Sequence, residues 1–205
     1  MKKTLPLLLS VFIALTALCA AVPASAGSVI THTVVPGDTM WKMAVRYKVG
    51  LDEIIAANTH IKDPHWIYPG DKLYIPLTDA TTTDFEEEVV RLVNVIRSDH
   101  GLNKLTSNWQ LSRVARYKSQ DMHDNKYFSH QSPIYGTPFE MMKNFGIQYN
   151  VAGENIAKGY TTPQSVVDGW MNSSGHRANI LGASYKQIGV GYVADGNYWT
   201  QMFIG

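Results

Sequence analysis

The 205-residue sequence has few charged residues, no excess of either charge and a single cysteine. Its 18 Lys and Arg residues are balanced by 17 Asp and Glu residues, which argues against the basic surface of a general nucleic-acid-binding protein. Since 45% of the residues are apolar and only 17% are charged, disorder over most of the chain is excluded. The sequence has only one long apolar run, which excludes a membrane protein with several spans.

This apolar run lies at the N-terminus and has the three parts of a secretory signal. Lys2 and Lys3 form a positive segment, residues 5–22 form an apolar core, and residues 24–26 (Ala-Ser-Ala) form a small-residue cleavage site. We therefore predict that residues 1–26 are removed during export. An uncleaved anchor is the competing interpretation, because the run is almost long enough to span a bilayer.

The one cysteine, Cys19, lies inside this predicted signal. The mature protein would therefore have no disulfide, no cysteine nucleophile and no Cys-bound metal. Lipidation of Cys19 is a third interpretation, although Leu18 directly before it fits a lipoprotein signal poorly. An exported chain without disulfides is typical of a bacterial envelope. We expect a secreted protein with no stable membrane insertion after cleavage.

Residues 31–76 have the pattern of a small domain with the order strand, helix, helix, strand. A β-branched segment at 31–35 predicts the first strand, and residues 72–76 predict the second. Apolar residues recur at helical spacing after Trp41, and a second short helix is predicted from Leu51. The four elements form about the smallest unit that can bury a core without disulfides or metals.

This region resembles a LysM domain in three segments, which are His32 to Trp41 (HTVVPGDTMW), Ala57-Asn58 and Ile67 to Leu73 (IYPGDKL). LysM domains bind glycans that contain N-acetylglucosamine, such as peptidoglycan or chitin, in a shallow groove between two loops. The resemblance implies glycan contacts from Gly37, Asp38, Thr39, Met40, Ile67, Tyr68 and Pro69. The alternative is that Asp38 and Thr39 only cap a helix, and for Asp38 alone this is the better interpretation.

The polar residues 77–83 have no periodicity, and we interpret them as a linker between two domains. Asp84 is predicted to begin the next helix, where Glu87 completes a capping-box pattern and the acidic run from 86 to 88 complements the helix dipole. The other predicted elements are helices over about 107–124, after Thr137 and after Thr162, and a C-terminal hairpin over 188–204.

Residues 84–205 resemble a CAP-superfamily domain of the cysteine-free bacterial type, the superfamily of cysteine-rich secretory, antigen 5 and pathogenesis-related proteins. The motifs that carry the resemblance occur in order: Phe128-Ser129-His130, Gly153 to Ala157 (GENIA), Trp170 to Leu181 (WMNSSGHRANIL), and Gly189 to Tyr192 (GVGY) with Tyr198 to Gln201 (YWTQ). The family fold is an α/β/α sandwich. Together with the βααβ LysM domain, the resemblance predicts an α+β protein.

The resemblance also implies a cleft that in eukaryotic family members carries two histidines and two glutamates. His130 matches the first histidine and Glu154 matches the first glutamate. The second glutamate falls near Ser173 and is missing, and the second histidine is replaced by Tyr198. His176 is the expected substitute in the cleft.

The candidate cleft residues His130, Glu154 and His176 allow three kinds of chemistry. Two imidazoles and a carboxylate could hold Zn²⁺ with a fourth position open to water. A glutamate–histidine pair could act in general acid–base catalysis. The same groups could instead form a buried polar network. Since no HExxH spacing is present, the sequence requires no metal cofactor.

We therefore predict an exported, cell-wall-associated protein that binds peptidoglycan through its LysM domain and presents its CAP domain at the wall. The pairing of domains resembles coat or cortex assembly proteins of spore-forming bacteria, which implies coat or envelope proteins as partners. The alternative is a hydrolase that acts on wall polymer or protein through the His/Glu cleft. A small-lipid carrier is a third reading. We favour the binding protein over the enzyme.

Overall fold

The computed structural model describes residues 27–205, so the predicted signal at residues 1–26 lies outside the described residues. Within 27–205 the chain forms two sheets, one of two strands and one of four, with helices around them. No helix in this part of the chain is long and apolar enough to cross a membrane. The mixture of helices and sheets confirms the predicted α+β class.

The first domain has the predicted βααβ order. Its elements are β1 (Val29–Thr33), α1 (Met40–Tyr47), α2 (Leu51–Ala57) and β2 (Lys72–Pro76), with β1 antiparallel to β2. The side chain of Thr39 caps α1 by accepting a hydrogen bond from the Lys42 backbone N–H at 3.1 Å. Met43, Ile54, Leu73 and Ile75 are among the side chains that fill its core.

The next helix, α3 (Ala80–Asp99), begins four residues before Asp84, so the predicted helix start is wrong. Asp79 is the N-cap and accepts a hydrogen bond from the Thr82 backbone N–H at 2.8 Å. The three threonines at 81–83 have low helix propensity, and this hid the start of the helix from the sequence pattern. Part of the segment predicted as a linker is therefore helical.

The second domain continues with seven short or medium elements and one long helix. They are β3 (Thr106–Ser107), α4 (Trp109–Asp124), α5 (Pro138–Asn144), β4 (Ala152–Lys158), α6 (Pro163–Met171), α7 (Ser174–Ile180), β5 (Gln187–Val193) and β6 (Tyr198–Ile204). Side chains of Asn108, Thr137 and Thr162 cap α4, α5 and α6. These three helix starts agree with the sequence pattern, whereas β4 and α7 were not predicted.

The four-stranded sheet has the order β3-β5-β6-β4, with β3 parallel to β5 and the other pairs antiparallel. Helices α3, α6 and α7 pack on one face, where Val93, Trp170 and Phe203 are buried together. Helices α4 and α5 pack on the other face around Leu111 and Met202. These three layers confirm the α/β/α sandwich.

Helix α4 lies unusually close to β5 because two strand residues on that face are glycines. A Cβ added at Gly189 would lie 2.4 Å from the backbone of Leu111, and one added at Gly191 would lie 2.1 Å from the backbone nitrogen of Arg116. A side chain at either position would push the helix away from the sheet. The glycines therefore fix α4, which supports the segment that carries His130.

Candidate functional site

A cleft of about 760 Å³ opens along β4, the edge strand of the larger sheet. Its lining comes from the loop at 128–131, the start of α5, β4 and α7. The structure brings His130, Glu154 and His176 together in this cleft, although they are separated by up to 46 residues in the sequence. The sequence motifs thus meet at one site.

His130 and Glu154 form a close pair at the floor of the cleft. Nδ1 of His130 lies 2.6 Å from Oε1 of Glu154, and the His130 side chain is 53% exposed while that of Glu154 is 2% exposed. Burial raises the pKa of Glu154, and the hydrogen bond from His130 and the charge of Lys118 oppose this effect. Oε2 of Glu154 is buried without a hydrogen-bond partner among the described residues. The pair leaves Nε2 of His130 as the ring nitrogen available to a ligand.

His176 lies on α7 and also lines the cleft. Partial burial lowers the pKa of His176, and the charge of His130 adds to this effect. Both causes favour a neutral imidazole. Among residues 27–205, no group of three His, Cys, Asp or Glu side chains is arranged to hold a metal ion. A Zn²⁺ ion held by His130, Glu154 and His176 stays a prediction.

A buried lysine behind the cleft was missed by the sequence analysis. Lys118 on α4 is fully buried, and its Nζ donates hydrogen bonds to the backbone oxygen of His130 at 3.0 Å and to the hydroxyl of Tyr127 at 2.9 Å. Burial lowers the pKa of Lys118, whereas the carboxylates of Glu154 and Asp121 raise it. A signal was present, because Lys118 lies four residues after the buried Val114 on the apolar face of α4.

Asp121, one turn further along α4, holds the same loop by a second set of hydrogen bonds. Its Oδ2 accepts from the hydroxyl of Ser132 at 2.7 Å and from the hydroxyl of Tyr127, and its Oδ1 accepts from the amide of Asn125 at 2.7 Å. Together with Lys118, it ties the loop that carries His130 to α4. The position of His130 is therefore set by a buried network.

Three side chains cover the free edge of β4. The carbonyl oxygens of Ala152, Glu154 and Ile156 accept hydrogen bonds at 3.4, 3.0 and 3.3 Å. The donors are, in the same order, the hydroxyl of Tyr185, the amide of Asn179 and the indole N–H of Trp170. An exposed sheet edge is a site of unwanted strand pairing, and these three donors satisfy carbonyl oxygens along the edge of β4. Asn179 also brings α7, and with it His176, next to Glu154.

In the first domain, the two loops predicted to bind glycan lie side by side. The backbone N–H of Gly70 donates to the oxygen of Val34, and that of Val34 donates to the oxygen of Asp71, both at 2.9 Å. Of the predicted contact residues, Gly37, Thr39, Tyr68 and Pro69 are exposed and Ile67 is half-buried. We call this surface, formed by residues 35–39 and 66–70, the groove.

Two predicted groove residues have other roles. Met40 is only 4% exposed and packs in the core of the first domain, so its side chain does not line the groove. Asp38 does not cap α1. Its Oδ2 lies 2.8 Å from Nε2 of His32 and accepts from the Val35 backbone N–H at 3.0 Å. Asp38 therefore fixes the shape of the first loop.

The acidic run at 86–88 also differs from its predicted role. Glu86 is buried and accepts a bidentate pair of hydrogen bonds from Arg116, with the shortest at 2.7 Å, and another from the Tyr192 backbone N–H at 3.1 Å. Burial raises the pKa of Glu86 to about 7 despite the attraction of Arg116. The interpretation of Glu86 as a helix-dipole residue is wrong, since Glu86 joins α3 to α4 and β5.

Residues 90–203 match the sequence profile of the family described as CAP: Cysteine-rich secretory protein family. This chain belongs to the CAP family. Residues 32–76 match the LysM domain profile. The resemblances stated from the sequence are thereby confirmed, and the first and second domains are a LysM domain and a CAP domain.

Two relatives show how far the similarity extends. Uncharacterized protein YkwD of Bacillus subtilis is 56% identical over 126 residues, which cover 62% of this chain and 49% of YkwD. Spore coat assembly protein ExsA of Bacillus cereus is 42% identical over 45 residues, which cover 22% of this chain and 7% of ExsA. The matched segments thus span about half of YkwD and a small part of ExsA.

A solved structure supports the fold of the CAP domain. The crystal structure of an extracellular protein containing an SCP domain from Bacillus anthracis superposes with a TM-score of 0.58 and 36% sequence identity. The superposition covers 66% of this chain and 47% of that protein.

Proposed function

We propose that this chain is an exported protein that attaches to the cell wall. Its LysM domain binds the N-acetylglucosamine glycan of peptidoglycan, and its CAP domain presents the His/Glu cleft at the wall surface. The observation that carries the proposal is the groove, where two loops joined by backbone hydrogen bonds expose Gly37, Thr39, Tyr68 and Pro69 on one surface.

The chemistry of the groove suits a sugar chain. Backbone and hydroxyl groups on the two loops offer hydrogen bonds to sugar hydroxyls and amides, while the ring of Tyr68 offers an apolar surface with a polar end. Tyr68 is 65% exposed, so this ring is available to a ligand without any rearrangement of the core. Which groove residue contacts which part of the glycan is also part of this proposal.

We further propose a role in the assembly of the spore coat or envelope, with coat or envelope proteins as partners. This step is supported by the similarity of the LysM domain to ExsA, whose name describes it as a spore coat assembly protein. The shared segment is 45 residues long. It therefore supports a common mode of attachment more directly than a common partner.

Sedimentation with purified peptidoglycan tests wall attachment. The chain from residue 27 should pellet with the wall, and Tyr68→Ala should weaken binding roughly tenfold, which corresponds to a loss of about 1.4 kcal/mol. The matched control is Tyr74→Ala, because Tyr74 is another exposed tyrosine of the LysM domain but its ring makes a tilted contact with His60 outside the groove. Equal binding by wild type and Tyr68→Ala would contradict the assigned groove.

A hydrolase is the second candidate function, and the 2.6 Å contact between His130 and Glu154 favours it. A buried carboxylate that holds Nδ1 of a half-exposed imidazole leaves Nε2 in position to accept a proton from water or a hydroxyl. In this candidate, His130 is the general base and Glu154 orients it.

Mass spectrometry of soluble products released from peptidoglycan separates the two functions. Wild type should be compared with Glu154→Gln and with the control Glu87→Gln, which changes an exposed glutamate outside the cleft. Protein retained on the wall without new fragments supports the binding protein. Fragments that disappear only in Glu154→Gln would overturn it in favour of the hydrolase.

A further inference from the structure

The LysM and CAP domains meet through an ion pair with two parallel hydrogen bonds. Arg113 on α4 donates from Nε to Oε1 of Glu53 on α2 at 2.6 Å, and from Nη2 to Oε2 at 2.8 Å. Their side chains are 17% and 18% exposed. Such a bidentate geometry is stronger and more directional than a single charged contact. It therefore restricts rotation of one domain against the other.

Tyr117, Phe145 and Gly50 lie next to this ion pair. The hydroxyl of Tyr117 donates to Oε1 of Glu53 at 2.8 Å, and the Arg113 guanidinium lies 5.2 Å from the centre of the Tyr117 ring. The same guanidinium lies 5.4 Å from the centre of the Phe145 ring. A Cβ added at Gly50 would lie 1.8 Å from Oε2 of Glu53 and 2.1 Å from Nε of Arg113, so a side chain there would displace the ends of both members of the ion pair. We call Glu53, Arg113 and Tyr117 the clamp.

The covalent connection between the domains is short and is itself held in place. Only residues 77–79 separate the end of β2 from the start of α3. The backbone N–H of Leu77 donates to the oxygen of Ser28 at 3.0 Å, and Asp79 caps α3. A connection of this length with fixed ends does not act as a flexible linker, so it adds to the restriction set by the clamp.

The clamp leaves both candidate binding surfaces free. It lies at the N-terminal end of α2, whereas the groove lies at the N-terminal end of α1, and an eight-residue helix is about 12 Å long. In the CAP domain the clamp uses Arg113 and Tyr117 of α4, whereas the cleft is lined by residues beyond the end of that helix at Asp124. Neither the groove nor the cleft is covered by the contact between the domains.

We propose that the clamp locks the LysM and CAP domains into one rigid unit, so that binding of wall glycan by the LysM domain fixes the orientation of the CAP cleft. The rigidity of the unit is independent of any ligand. The orienting role rests on the proposed function, because it requires the groove to be the wall-binding surface. In this arrangement the LysM domain both holds the CAP cleft at the wall and sets its orientation.

The chain contains a matched control for the clamp. Arg91 and Glu88 make the same bidentate contact, with both hydrogen bonds at 2.7 Å, but both residues belong to α3. Their side chains are 59% and 41% exposed. Substitution of Glu88 thus removes an equivalent pair without touching the junction.

Nuclear magnetic relaxation of backbone ¹⁵N in the chain from residue 27, without glycan, tests the rigid unit. Wild type and Glu88→Gln should show one rotational correlation time for both domains. Asp52 lies 3.7 Å from Arg113 and could replace Glu53, so the clamp variant is the double change Asp52→Asn, Glu53→Gln. In this variant the LysM domain should tumble faster than the CAP domain, and Arg113→Gln should give the same result from the other side.

Two results would overturn the proposal. One is a separate correlation time for each domain in wild type, and the other is a single shared time in both clamp variants. Sedimentation with peptidoglycan then separates this proposal from the proposed function, since the clamp variants keep the groove intact and should still pellet. If Tyr68→Ala no longer pellets but both of its domains still share one correlation time, the groove has lost glycan binding while the rigid unit is intact.

Discussion

Two carboxylate–histidine pairs, one in each domain, have similar geometry, but the pKa values of their carboxyl groups are shifted in opposite directions. In the LysM domain, Asp38 lies 2.8 Å from Nε2 of His32, and in the CAP domain Glu154 lies 2.6 Å from Nδ1 of His130. Hydrogen bonds from Val35 and His32 hold the pKa of Asp38 below its ordinary value. Burial instead raises the pKa of Glu154.

Burial has the largest effect on the pKa of Glu154, and the two carboxylates also differ in how many donors they receive. Asp38 has two donors on one oxygen, and its second oxygen lies 3.8 Å from the guanidinium of Arg46. Glu154 has one donor on one oxygen and none among the described residues on the other. A satisfied carboxylate stabilises the fold, whereas an incompletely satisfied buried one costs stability and is typical of functional sites. The comparison therefore assigns Asp38 to structure and Glu154 to the candidate site.

The largest expected effect comes from removing the cation behind Glu154. We predict that Lys118→Met destabilises the CAP domain by about 3–5 kcal/mol, because Glu154 and Asp121 would keep buried charges without their common cation. Hydrogen exchange of amides in β5 and β6 measures this loss. The exposed Lys104→Met is the control. A loss no larger than that of the control would show that the network does not depend on the lysine charge.

The same residue shows where sequence reasoning stops. The caps at Asn108, Thr137 and Thr162 were predicted because they depend on local residue types. Lys118 and Glu86 were not, because a charge on an apolar helix face is explained only by partners distant in sequence. The family resemblance named His130, Glu154 and His176, but not the hydrogen bonds that hold them.

The edge strand β4 was missed for a different physical reason. Its five central residues, 153–157, are buried on both faces, so the alternation of apolar and polar residues that predicts a half-exposed strand is absent. Glu154 and Asn155 supply polar groups where a buried strand is expected to be apolar. The departure from pattern coincides with the cleft, as is expected where function overrides local preference.

A pH series on Glu154→Gln tests the carboxylate that lacks donors. Because the pKa of Glu154 is raised in the folded state, the contribution of Glu154 to wild-type stability is greatest below its ordinary pKa of 4.5. This contribution is lost as pH rises through the folded pKa. The variant lacks this titration, so its stability relative to wild type should increase as pH rises above 4.5. Hydrogen exchange of β6 amides at several pH values gives the difference.

The difference between the two proteins is the informative quantity. Glu86, whose pKa is raised to about 7, also makes wild-type stability fall over this pH range, and it does so equally in the variant. A constant difference between wild type and Glu154→Gln would mean that Glu154 titrates as it does in the unfolded chain. The contrast with Asp38 would then be lost.

The smallest effect on stability is expected for Asp38→Asn, and its pH dependence should have the opposite sign to that of Glu154→Gln. A lowered pKa means that the Asp38 carboxylate contributes stability above its ordinary value of 3.8, and that this contribution is lost as pH falls through the folded pKa. The variant should therefore be less stable than wild type at neutral pH and equal to it in acid. Hydrogen exchange of β2 amides measures this, with the exposed Asp84→Asn as control. If Asp38→Asn instead gains stability relative to wild type as pH rises, the two carboxylates have the same pH dependence. The distinction between a structural and a functional carboxylate would then fail.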